Sequence, residues 1–83
     1  MIQILKVEKH IVDEHIRLTK AFWNGGGEPE LMKRIRFSEL HFGAYWIAMD
    51  EIVDCLFRKD GLNPDASNEV IYRILRLADV QII

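Results

Sequence analysis

The sequence predicts an all-α chain, a compact bundle of three to four helices in a single domain spanning residues 1–83. Apolar residues recur at alternating spacings of three and four along most of the chain, the period of one helical face. The interruptions carry helix-ending and helix-starting residues: a glycine triplet, Asp60-Gly61 and Asn63-Pro64. With 49% apolar and 29% charged residues, the chain has enough hydrophobic matter to pack a core and is not a disordered tail.

The first helix is expected from about residue 3 to 23, with Ile4, Val7, Ile11, Leu18 and Phe22 on one face and His15 filling a position of the same stripe. Asn24, Gly25, Gly26 and Gly27 end it, so residues 24–28 read as a glycine hinge within the domain. Glu28, Pro29 and Glu30 restart a helix, because proline suits a first turn and carboxylates complement the positive end of the helix dipole.

From there Leu31, Ile35, Ser38, Phe42, Tyr45, Met49, Ile52 and Leu56 keep helical spacing, compatible with one rod over residues 29–58. The favoured alternative is a break at Ser38, which could cap a new helix while Phe37 and Phe42 staple its start. Gly61 suits the left-handed position that closes this helix, with Leu62 folding back onto Phe57. Asn63 and Pro64 then start a last helix, with Ile71, Ile74, Leu75 and Ala78 inside and Arg73 and Arg76 outside. The ends Ile2-Gln3-Ile4-Leu5 and Val80-Gln81-Ile82-Ile83 are rich in β-branched residues, so the alternative fold is helical with a short terminal two-stranded β pair.

Composition also limits function. The 11 basic and 13 acidic residues are interspersed, leaving no global field to attract a polyanion. The single Cys55 sits among apolar neighbours and cannot form an internal disulfide. No signal-peptide pattern or membrane-length apolar run is present, and a cytoplasmic location is expected.

Candidate ligating residues are His10, Asp13, Glu14 and His15 in the first helix, with His41, Asp50, Glu51 and Asp54 further on. Neither His-Glu-x-x-His nor the Glu-x-x-His pairs of di-iron bundles occurs, so no metal or cofactor is assigned. The stretch Asp50-Glu51-Ile52-Val53-Asp54-Cys55-Leu56-Phe57 resembles the Glu-x-x-Asp helix of the MazG-like all-α nucleotide pyrophosphohydrolases. That resemblance implies magnesium held by Glu51 and Asp54 and hydrolysis of nucleoside triphosphates. The family's earlier Glu-x-x-Glu helix is absent from this chain.

Lys33, Arg34 and Arg36, with Arg73 and Arg76, supply the basic edges that a nucleic-acid-binding regulator would use. Asp60 and Asp65 flank the candidate turn and oppose a phosphate backbone. The glycine triplet lacks the lysine of a phosphate loop, and Ser38 and Ser67 read as helix caps, so no complete catalytic set is found.

The segment Phe42 to Met49 is apolar on nearly every side of a helix and contains Gly43, Ala44 and Ala48, which allow close approach. The leading expectation is therefore a small helical interaction module, a regulator or inhibitor that binds a protein partner or self-associates as a homodimer. Its expected contact residues are Trp23, Phe42, Tyr45, Trp46 and Met49, with Arg34 and Arg36 as a polar rim.

Overall fold

The computed structural model describes residues 5–83. Strand β1 (Leu5–Val7) leads into α1 (Lys9–Ala21), α2 (Gly27–Phe42), α3 (Trp46–Arg58), α4 (Asn68–Leu77) and strand β2 (Val80–Ile82). A π-type turn over Phe22–Gly26 joins α1 to α2, and a short 3-10 turn over Gly43–Tyr45 joins α2 to α3.

An unbroken helix across residues 9–58 would be about 75 Å long at 1.5 Å per residue, whereas the longest dimension of the molecule is 39 Å. Both junctions are reversals. The Arg34 guanidinium lies over Phe22 at 5.5 Å and the His15 ring packs on Phe42 at 5.1 Å, so α2 runs back along α1. Ser38 then pairs with Asp50 and Arg34 with Asp54, so α3 runs back along α2.

The helical class and the terminal strand pair of the sequence reading are both present. The first helix, however, begins at Lys9 instead of about residue 3, because Leu5–Val7 is extended and pairs in parallel with Val80–Ile82. Residues 2–4 of the expected strand lie outside the described residues. The pairing also finishes α1: the first N–H of the helix, on Lys9, donates to the Ile83 carbonyl at 2.8 Å, satisfying a group that a helix start otherwise leaves open.

The break expected at Ser38 is not there. α2 runs through it and stops at Gly43, because the Ser38 hydroxyl is turned inward to a carboxylate rather than back onto a helix start. Gly43 has φ 54° and ψ −126°, a region closed to side chains by their Cβ. A Cβ placed there would meet nothing within 4 Å, so the restriction comes from the backbone alone. Gly43→Ala is expected to lower stability by about 1–3 kcal/mol, read as a drop in thermal midpoint with helical circular dichroism retained at low temperature. At the other reversal, Gly26 is required by contact: its Cβ would stand 2.6 Å from the Ala21 carbonyl oxygen.

Gly61 closes α3 at φ 64°, and the Leu62 N–H returns to the Leu56 carbonyl at 2.8 Å, one residue wider than the Schellman closure expected. Asn63 does not cap α4. Its side chain instead accepts from the Asp65 N–H at 2.9 Å in a turn, and the cap is Ser67, whose hydroxyl accepts from the Glu69 N–H at 3.2 Å.

The core joins Val12 and Ile16 of α1, Phe42 of α2, Met49, Val53 and Leu56 of α3, Ile71 and Leu75 of α4, and Val7 and Val80 of the strands. α2 contributes little apolar matter to it. Its buried stripe is Arg34, Ser38 and Phe42, four apart, so polar groups of α2 face the centre of the bundle.

Candidate functional site

Three helices bring polar side chains into the interior at helical spacing, and all converge on α3. Asp50 Oδ1 accepts from His15 Nε2 at 2.7 Å and from the Ser38 hydroxyl at 2.6 Å, and its Oδ2 lies 3.7 Å from Arg34 Nε. One turn later, Asp54 takes both terminal nitrogens of Arg34, with Nη2 to Oδ2 at 3.0 Å, and accepts the Trp23 indole N–H at 2.9 Å. His15, Thr19 and Ser38 have no exposed surface, and Arg34 and Asp50 are almost fully buried.

A carboxylate beside Nε2 fixes the imidazole proton on that nitrogen. The opposite nitrogen, Nδ1, is buried without a partner, as is Arg34 Nε. Helix α1 is also tied internally: the Thr19 hydroxyl donates to the His15 carbonyl at 2.8 Å. A Ser, a His and an Asp thus meet, but not as a nucleophilic relay. Such a relay needs the serine proton on the imidazole and the oxygen open to substrate. Here the serine proton rests on Asp50, and both Ser38 and His15 are sealed. The arrangement locks helices together.

The same contacts bear on the magnesium site implied by the MazG resemblance. Glu51 points to solvent, while Asp54 is held by a guanidinium and an indole and Asp50 by His15 and Ser38. A divalent ion would have to displace these donors. Among the described residues, no group of three or more His, Cys, Asp or Glu is arranged to hold a metal ion.

The candidate ligands of α1 are dispersed. His10 pairs with Glu8 at the surface, and Glu14 with Arg17, whose hydrogen bond holds the Glu14 carboxyl below its usual range. Asp13 accepts from Asn68 at 3.0 Å and from the Tyr72 hydroxyl, fastening α4 to α1. Burial, followed by that bond to Asp13, pushes the Tyr72 phenol up to about 12. An unfolded chain gives up this proton near pH 10 and the folded chain holds it, so this contribution to stability is complete below pH 10 and is lost as pH rises toward 12. Absorbance titration of the phenolate, compared with Tyr72→Phe, is expected to place the Tyr72 step in that upper range. A step at pH 10 would refute it.

The basic cluster is likewise divided. Lys33 pairs with Glu30 at 3.1 Å, Arg34 is internal and Arg36 is exposed, while Arg76 lies over the Tyr72 ring at 5.9 Å. These residues do not form one continuous basic face.

Of the expected contact residues, Phe42 and Met49 are core, at 2% and 1% exposure, and Arg34 is internal. Tyr45 and Trp46 are half-buried, with Trp46 packed on the core. Trp23 is 40% exposed and forms one wall of a 350 Å³ groove with Lys20, Phe57, Leu62 and Pro64. The most exposed apolar surface of the reversal belongs to residues that sequence reasoning passed over, Leu40 at 78% and Ile47 at 52%, beside exposed Gly43, Ala44 and Ala48. The available signal was that positions 40 and 47 are apolar yet fall outside the stripe through 38, 42, 45 and 49.

No protein family matches the chain, and neither the curated proteins nor the solved structures contain a match to it.

Proposed function

We propose that this chain is a small helical interaction module, a regulator or inhibitor that acts by covering part of another protein. The observation that carries the reading is the apolar corner at the α2–α3 reversal. Leu40 and Ile47 stand out from it, and Gly43, Ala44 and Ala48 leave the backbone approachable. Burying two such side chains contributes about 1.5–3 kcal/mol each, enough to anchor a contact when hydrogen bonds form around it. The sealed Ser38, His15 and Asp50 support the same reading, since the Asp50 carboxylate is occupied by the Ser38 hydroxyl and His15 Nε2.

The test is site-specific photocrosslinking in cells, with a photoreactive phenylalanine analogue at position 40 or 47. A discrete adduct with one protein is expected from both positions and none from position 17, on the exposed side of α1. The same adduct should disappear from a probe at position 40 when Ile47→Glu is introduced. Failure to obtain any adduct from either corner position would overturn the reading.

A further inference from the structure

The parallel pair β1–β2 has two outer edges, and they differ in chemistry. In the ladder, the Ile83 N–H donates to the Val7 carbonyl and the Ile83 carbonyl accepts from Lys9. Successive residues of a strand direct their N–H and C=O groups to opposite sides, so Gln81 and Ile83 face β1, while Val80 and Ile82 direct theirs away from it. Outside that edge lies a groove of 380 Å³ lined, among the described residues, by Arg76, Asp79, Val80, Gln81 and Ile82. Leu77, at 85%, and Ile83, at 64%, next in sequence to the ends of this lining, are two of the most exposed large apolar residues among the described ones.

β1 carries a lysine at its centre, Lys6, exposed and in register with Gln81. A central lysine would face its own twin if two copies met edge to edge, the usual protection of a free strand. β2 has no such guard. Its central residue is Gln81, an amide that both donates and accepts and can therefore pair with itself. Arg76 and Asp79 give the groove one charge of each sign, so two copies approach without net repulsion.

The geometry points to a second copy of this chain as the occupant of the β2 edge, added antiparallel about a two-fold axis through Gln81. In that register Val80 lies opposite Ile82 of the other copy, and each of these residues both donates and accepts, using the groups that face away from β1. Gln81 meets its twin at the non-hydrogen-bonded position, where side chains are closest. Val80 and Ile82 keep their core-facing sides on the helices of their own copy. The result is one continuous sheet in the order β1–β2–β2–β1. Its contacts are made by Val80, Gln81 and Ile82 and not by Leu40 or Ile47; Ala48 of that corner shares a small cavity with Asp79 and Val80, so the two proposals are separated by substitutions at Gln81 and at Ile47.

Light scattering of the whole chain at micromolar concentration is expected to give twice the 9.7 kDa chain mass. Ile82→Pro removes an outward N–H but no bond to β1, a placement that an edge strand tolerates, and should return the mass to that of one chain with helical circular dichroism unchanged. Gln81→Lys places like charges opposite one another and should do the same, keeping the test available if the proline variant does not fold. In a Cys55→Ser background, Gln81→Cys is expected to form an intermolecular disulfide under mild oxidation. A wild-type chain at single mass overturns the proposal. So does a dimer that survives Gln81→Lys and is broken by Ile47→Glu.

Discussion

Asp50→Ala is expected to lower the unfolding free energy by about 3–5 kcal/mol, visible as a large fall in the urea midpoint. One carboxylate oxygen takes both the His15 and Ser38 donors and the other lies near Arg34, so the substitution strands two buried donors and removes the charge beside a third buried group. At roughly 0.05–0.15 kcal/mol per residue, a chain of this size has about 4–12 kcal/mol in total. The variant should therefore be partly unfolded at physiological temperature. Asp50→Asn should lose less, because its oxygen can still accept from Ser38 and His15 while its amide meets Arg34 unfavourably. An Asp50→Ala midpoint equal to the wild type would show that the helices are held by apolar packing alone.

The second large effect is at Arg34. Arg34→Met should cost about 3–5 kcal/mol, since it takes both guanidinium hydrogen bonds from Asp54, leaving it the Trp23 N–H, and removes the cation beside Asp50. Combining it with Asp54→Leu should restore much of the loss, because the desolvation penalty of the second charge disappears with it. Trp23, partly exposed, can turn its N–H to water. A double-mutant cycle in urea should show coupling of about 1–3 kcal/mol. Strict additivity of the two substitutions would mean that the guanidinium is solvated in the folded state.

The helical class was legible because the apolar period and the glycine and proline punctuation agree over most of the chain. The reversal at Gly43 was not, since its neighbours are all good helix residues and the turn is selected by Asp50 and Asp54 pulling α3 back onto Ser38 and Arg34. Local capping logic assigned Ser38 to a helix start, whereas a partner twelve positions away claims its hydroxyl. The interior network left a trace even so. His15 and Ser38 both occupy apolar stripes at helical spacing, and polar residues in such stripes must find each other inside. Arg34 left none, because a basic residue flanked by Lys33 and Arg36 reads as surface. The surface corner was hidden for the opposite reason: an apolar run around Trp46 reads as core, and only the fold separates Met49, which is inside, from Ile47, which is not.

The strand pair has a consequence for how the chain is made. Leu5 must wait for Val80, so β1 leaves the ribosome about 75 residues before its partner strand exists. Closing a loop of that length costs on the order of 4 kcal/mol in chain entropy if the intervening residues are free. They need not be: α1, α2 and α3 join through sequential reversals and can assemble during synthesis, shortening the distance that the ends must search. Until β2 arrives, Val7 and the start of α1 stay uncovered, and a ribosome that pauses before residue 80 holds a nascent chain displaying an unpaired strand to its surroundings.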